Sequence, residues 1–205
     1  GLVYSKKLLT TYVDPANAVI RGLDLLMSEA SLKAGDIELV LHGTTLATNA
    51  LIERTGSKTA LLTTEGHRDV LEMAFENRFE QYDVNIDRRP PLIERSLRVG
   101  VRQRHAFDGE EIIPLDHDEL ASSVRRLSEL GVTSYAVGYL HSYANPSHEL
   151  RTSEIIKELV PEASVSLSSR VCPEIREYER LSTTAANAYI KPLMEEYLES
   201  LELQL

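Results

Sequence analysis

Two stretches of the chain share one pattern, and that pattern narrows the fold more than any other feature. Residues 37–41 form an apolar run long enough for one buried strand, and the run breaks at His42-Gly43-Thr44-Thr45. Leu46, Ala47, Ala50 and Leu51 then recur at the spacing of one helical face. Residues 57–64, Ser-Lys-Thr-Ala-Leu-Leu-Thr-Thr, repeat the scheme. They lead through Thr64-Glu65-Gly66-His67-Arg68-Asp69 into a short helix over 70–74. Strand–turn–helix units in series predict a parallel sheet. Both turns are then expected at the same strand edge, where such sheets bind ligands. A strand end that opens a helix gathers unpaired N–H groups and the positive end of the helix, which suits an anion or a phosphorylated ligand. The plainer alternative is that Thr44 or Thr45 simply caps the helix.

The rest of the chain extends the α/β reading. Residues 2–11 carry β-branched and aromatic residues and predict an edge strand. Asp14-Pro15 is a helix start, with Asp as cap and Pro in the first turn, for a helix to about Ala30. Gly56 is expected to stop the helix that begins after Thr45. Residues 75–91 are polar with aromatic anchors and end in Arg88-Arg89-Pro90-Pro91, which predicts a long loop or insertion. The alternation of Leu97, Val99 and Val101 predicts one half-buried antiparallel strand over 96–105. It turns at Asp108-Gly109 into a return strand over 110–115. A helix capped by Asp116, buried strands over 133–141 and 163–167, a helix over 147–159 and a long helix from Pro173 to about 203, kinked at Pro192, complete the chain.

Composition excludes several function classes. The net charge of −10, with no basic block to offset it, argues against a nucleic-acid partner. One cysteine, Cys172, permits no intrachain disulfide and suggests no zinc cluster, so a reducing cytoplasm is the expected compartment. No run has the length of a membrane span. No Walker A loop, dinucleotide fingerprint or nucleophile elbow is present. His42, His67 and His141 each follow a predicted strand and could converge as a base or metal cluster. No ligand-type spacing supports a metal set, and hydrogen bonding of each ring to turn backbone is the simpler reading. His105, His117 and His148 look like surface residues.

Five blocks in order resemble the hydantoinase A / oxoprolinase family. They are residues 42–54 (His-Gly-Thr-Thr-Leu-Ala-Thr-Asn-Ala-Leu-Ile-Glu-Arg), residues 63–72 (Thr-Thr-Glu-Gly-His-Arg-Asp-Val-Leu-Glu), Asn77-Arg78 with Tyr82-Asp83, residues 140–149, and residues 173–189. In the second block Phe is commoner than the His67 found here. The resemblance implies an actin-like, ribonuclease-H-type ATPase lobe: a mixed, mainly parallel sheet with helices on both faces and a small β-hairpin appendage. Residues 1–205 would be the N-terminal domain, with an insertion at 75–115. The implied activity is ATP-dependent opening of a cyclic amide (hydantoin, N-methylhydantoin or 5-oxoproline) by phosphoryl activation. ATP and Mg²⁺ would be the cofactors and a hydantoinase B-type subunit or domain the partner, in an oligomer with no nucleic acid and no membrane. Two alternatives stay open: a subunit of an ATP-dependent ketone carboxylase, and a non-catalytic α/β binding module.

The resemblance suggests roles residue by residue. Thr44, Thr45 and Asn49 would donate to phosphate or to the substrate oxygen. His42 and His67 would orient groups or move protons. Arg68 and Arg78 would offset charge on a phosphorylated intermediate, with Asp69 holding Arg68 and Tyr143 lining the site. One departure matters. Family chains begin with a glycine- and threonine-rich phosphate loop, and nothing like it precedes Leu2. A second ATPase lobe is also expected and is absent. The 205 residues are therefore expected to be a piece of a longer enzyme and not active alone.

Overall fold

The computed structural model describes residues 2–11, 14–75, 80, 82–85 and 89–205. Their backbone contacts divide into two units, Gly1–Asn49 with Leu193–Leu205, and Ala50–Pro192.

In the second unit, β1 (Thr59–Thr64) lies between two parallel neighbours, β2 (Arg98–Val101) and β5 (Ser134–Gly138), and β6 (Ser164–Leu167) pairs parallel with β5. Every residue of β1 and of β5 is buried. A strand hydrogen-bonded on both edges and covered on both faces must be apolar or internally satisfied throughout. Leu61, Leu62, Ala136 and Val137 meet the first condition. Thr59 meets the second by donating its hydroxyl to the Ser57 carbonyl at 2.8 Å. The helices α4 (His117–Glu129), α5 (Ser147–Leu159) and α7 (Glu177–Gln204) supply the covering layers. Alternation along β5 separates two of them: the Tyr135 hydroxyl donates to the Val124 carbonyl of α4, whereas Ser134 donates to the Ala188 carbonyl of α7. On that second face a Cβ at Gly138 would stand 1.9 Å from Leu181 Cδ2, so this glycine sets how closely α7 approaches the sheet.

A second sheet pairs β3 (Arg104–His105) antiparallel with β4 (Glu111–Ile113), with Gly109 at φ +91° in the connecting turn. The expected single antiparallel strand over 96–105 is therefore two strands in two sheets. Arg98–Val101 joins the parallel sheet, and only Arg104–His105 forms the hairpin. Between them Gln103 turns its amide inward to donate to the Thr64 hydroxyl, which also accepts from Leu140 N at 2.9 Å. The alternation of Leu97, Val99 and Val101 does not record that Arg98, between them, is itself buried and ion-paired to Glu72 at 2.8 Å.

The first unit holds α1 (Pro15–Ala30) and the start of α2 (Leu46–Glu53). Asp14 caps α1 by accepting from Ala16 N at 3.1 Å, with Pro15 in its first turn, as the sequence predicts. Ala16 packs with Tyr197 and Leu201, and Val19, Ile20, Leu46 and Met194 adjoin them. The strands expected over 2–11 and 37–41 do not form, because no neighbour among the described residues offers either a ladder. Leu39 and Leu41 stay 71% and 86% exposed. Helix α2 ends at Glu53, where Arg54 takes the left-handed conformation (φ +60°) instead of Gly56. Gly56 serves a different need: a Cβ there would meet the Tyr189 ring at 2.2 Å.

Candidate functional site

The first-unit candidates come together. His42, Thr44, Thr45 and Asn49 line one concavity of about 520 Å³ with Thr10, Pro15 and Tyr197. Thr44 Oγ1 accepts from Leu46 N at 3.1 Å, which satisfies a free N–H at the start of α2, and the hydroxyl proton remains available to a ligand. Asn49 N donates to the Thr45 carbonyl at 2.9 Å, which continues the helix and leaves both side chains at the cavity wall. His42 Nε2 lies 2.6 Å from the Tyr197 hydroxyl, with the rings tilted at 45°. Burial, and then the charge of Asp14, raise the Tyr197 phenol above its ordinary value, so it is protonated at neutral pH. Among the described residues the wall thus offers hydroxyls, an amide and an imidazole beside the first turn of a helix, and no carboxylate. That set suits the oxygens of a phosphate.

The turn after β1 forms a second group. Gly66 (φ +84°) lets the chain reverse, and His67 N donates to the Thr64 carbonyl at 3.0 Å. The His67 ring is tied to its own turn, with Nδ1 3.1 Å from the Glu65 carbonyl. Asp69 is held mainly by Arg95, through paired hydrogen bonds of 2.9 Å each, while Arg68 stands off at 3.9 Å. The Arg95 hydrogen bonds first, then the charges of Arg95, Arg68 and Arg98, hold the Asp69 carboxyl below its ordinary value against the opposing effect of burial. Arg68, Arg95, Arg98 and Arg126 share a second concavity of about 480 Å³.

Tyr143 packs against the buried Arg180, whose guanidinium carbon is 5.6 Å from the ring centroid. Arg180 donates to the carbonyls of Glu174, Ile175 and Tyr139, which makes it a tie for the start of α7. Arg78 lies outside the described residues. The convergence considered for His42, His67 and His141 does not occur within the second unit: His67 binds its own turn, and His141 Nδ1 contacts the His105 carbonyl at 2.8 Å.

The sequence reading placed His105 and His148 at the surface, and this is corrected: they are 1% and 5% exposed and stack with ring centroids 4.0 Å apart. His105 ends a hairpin strand and His148 is the second residue of α5, so an inward face of each carries an imidazole. Glu149 was also missed. Its buried carboxylate accepts from Tyr139 N, Ser168 Oγ, Ser169 N and Ser169 Oγ, joining the turn after β5 to the start of α6 (Ser168–Val171). The available signal was the position of both residues in the first turn of a predicted helix.

Comparison with known proteins agrees with this architecture. The family model described as the hydantoinase/oxoprolinase N-terminal region matches residues 1–160. The caprolactamase subunit alpha of Pseudomonas jessenii is 38% identical over 169 residues, covering 82% of this chain and 24% of that protein. The acetophenone carboxylase gamma subunit of Aromatoleum aromaticum is 34% identical, covering 87% of this chain and 26% of that protein. The crystal structure of the ATP-dependent caprolactamase from Pseudomonas jessenii superimposes with a TM-score of 0.82 at 34% identity, over 92% of this chain and 29% of that one. This chain spans about a quarter of the length of these relatives. The expected fold, an α/β lobe with a mainly parallel sheet of the actin-like ATPase type, agrees with that neighbour. With most of its length matched in this way, the chain belongs to the hydantoinase/oxoprolinase family as part of its N-terminal region.

Proposed function

We propose that this chain is the N-terminal domain of an ATP-dependent enzyme that opens cyclic amides of the hydantoin or 5-oxoproline type. The observation that carries the reading is the gathering of His42, Thr44, Thr45 and Asn49 around one cavity at the first turn of α2. Its wall can bind a phosphate or a developing oxyanion, in a family where a relative is named an ATP-dependent caprolactamase. ATP would transfer its terminal phosphoryl group to the amide oxygen and leave as ADP. Water then adds at the activated carbon, the C–N bond breaks to free the amine and leave an acyl phosphate, and a second water hydrolyses that to the carboxylate and phosphate.

In this reading Thr44, Thr45 and Asn49 donate to the phosphate or to the substrate oxygen. His42, steadied by Tyr197, and His67 handle protons. Arg68 and Arg78 offset anionic charge, Asp69 fixes the arginines beside it, and Tyr143 braces the adjoining turn. Subunit names among the relatives support a multi-subunit assembly, with a hydantoinase B-type polypeptide as the partner we propose. No helix among the described residues is long and apolar enough to cross a membrane, and we place the enzyme in the cytoplasm.

The similarity to an acetophenone carboxylase subunit favours a second reading, ATP-dependent carboxylation of a ketone through its enol phosphate. One experiment separates the readings. The full-length protein, with its B-type partner, is given Mg-ATP and either hydantoin, 5-oxoproline, caprolactam or a ketone with bicarbonate. ADP and the organic product are then measured. Ring opening with ADP release supports the first reading, and a carboxylated ketone replaces it with the second. Absence of ATP binding by the full-length protein overturns both in favour of a binding module.

A further inference from the structure

The hairpin and α5 bring together a set of groups that the phosphate-binding reading leaves unused. His105 and Glu111 are cross-strand partners in the β3–β4 pair, so their side chains project together. His148, in the first turn of α5, lays its ring on that of His105 at 4.0 Å with 27° between the planes. One potential ligand atom from each of the three residues lies within 4.8 Å of the other two.

The hydrogen bonds around the trio are directional. Gln103 donates its amide to Thr64 Oγ1, which turns its carbonyl oxygen toward His148 Nδ1 at 3.0 Å. In this orientation the Gln103 carbonyl oxygen takes the Nδ1 proton of His148 in a hydrogen bond, and Nε2 shares a proton with Glu111 Oε2 at 2.7 Å, which a bound metal ion would displace. A metal-bound histidine usually donates its far ring N–H to a carbonyl or carboxylate, which fixes the ring and aims the near nitrogen at the ion, and the Gln103 carbonyl does this for His148. The second observation is independent: Nδ1 of His105 is buried and has no hydrogen-bond partner among the described residues, while its Nε2 touches Ser147 Oγ at 3.4 Å. A buried ring nitrogen without a partner is costly in the absence of a ligand.

We propose that His105, Glu111 and His148 form a binding site for a divalent transition-metal ion of the zinc type. Two imidazole nitrogens and one carboxylate oxygen match the nitrogen/oxygen preference of Zn²⁺ and its neighbours, and they leave a coordination position for water. The half-exposed Glu111 side chain marks where that position meets solvent. A tetrahedral ion with bonds of about 2.1 Å sets its ligand atoms about 3.4 Å apart, so loading draws the trio inward. His148 is anchored by Gln103, whereas among the described residues the His105 ring makes the long contact to Ser147 and the stack on His148. His105 is therefore the ring that turns out of the stack to aim its Nδ1 at the ion. The bound metal staples the β3–β4 hairpin to α5.

The competing account is a plain His148–Glu111 ion pair with His105 stacked on it. The test uses the full-length protein, untagged and stripped with chelator, titrated with Zn²⁺ alone by calorimetry and with Co²⁺ alone by visible absorption. Glu111→Gln and Gln103→Ala are run beside it. The proposal expects one Zn²⁺ per chain lost on Glu111→Gln, and affinity about 10- to 100-fold weaker in Gln103→Ala. It also expects ligand-field bands with Co²⁺, and a Zn²⁺-dependent rise in Tm absent from Glu111→Gln. Glu111 lies at the surface and its amide variant is close in shape, so loss of binding there is not loss of fold. Equal Zn²⁺ stoichiometry in wild type and Glu111→Gln, or no Co²⁺ bands in the wild type, overturns the proposal in favour of the ion pair.

Discussion

Residues 37–53 and residues 59–73 read alike in sequence, an apolar run, a small polar turn and a helix, yet they fold differently. The second run becomes β1, hydrogen-bonded on both edges and buried at every position. The first forms no ladder among the described residues, with Leu39 and Leu41 facing solvent. The two helices diverge as well: α2 runs Leu46–Glu53, whereas the helix after β1 stops at Val70–Met73. An apolar run can thus be a necessary condition for a buried strand without being a sufficient one. Register partners on both sides complete it, and they lie far away in sequence.

The contrast can be broken by paired substitutions. The largest effect is expected at the centre of the sheet, where Leu62 is fully buried: Leu62→Ala should cost about 2–5 kcal/mol in urea denaturation. A result below 1 kcal/mol would mean that β1 is not the core strand. Gly138→Ala forces a methyl group into Leu181 and should cost about 1–3 kcal/mol, seen as a lowered urea midpoint with an unchanged m-value.

In the turn of the first stretch, Thr44→Ala removes the acceptor for Leu46 N and should lose about 0.5–2 kcal/mol, largely restored by Thr44→Ser. Failure of serine to restore it would point away from the cap. The turn of the second stretch responds to pH instead. The folded Asp69 carboxyl titrates below its ordinary 3.8, so its stabilisation is complete above the unfolded value and is lost as pH falls through the lower folded value. The Tm gap between wild type and Asp69→Asn should therefore be widest near neutrality and close below about pH 4, as followed by thermal melts across pH. The smallest effect belongs to the exposed run: Leu41→Ala should change stability by less than about 0.5 kcal/mol. A cost comparable to that of Leu62→Ala would show that residues 37–41 are buried in the protein tested, and the contrast would vanish.

Features with local causes were legible. The cap and first-turn proline of α1, the Asp116 cap of α4, the bounds of α5 and the turn at Gly109 each depend on a few neighbouring residues, and each was anticipated from them. The gathering of Thr44, Thr45 and Asn49 follows from their place at one helix start, so that part of the candidate site could also be read. Features with distant causes were not. The 96–105 segment was read as one strand because its alternation does not record that Gln103 is needed by Thr64. Asp69 was paired with Arg68, its neighbour in sequence, and in the structure it holds Arg95 across the turn.

The sequence by itself determined the α/β class, most helix bounds and family membership, because caps, periodicity and motif blocks act over a few residues. Only the tertiary structure decided which apolar run became a buried strand, and that Arg98, His105, His148 and Glu149 lie inside. A polar side chain goes inside when a partner waits there, as Glu72 does for Arg98 and Ser168 for Glu149. Such partners meet only when the chain has folded.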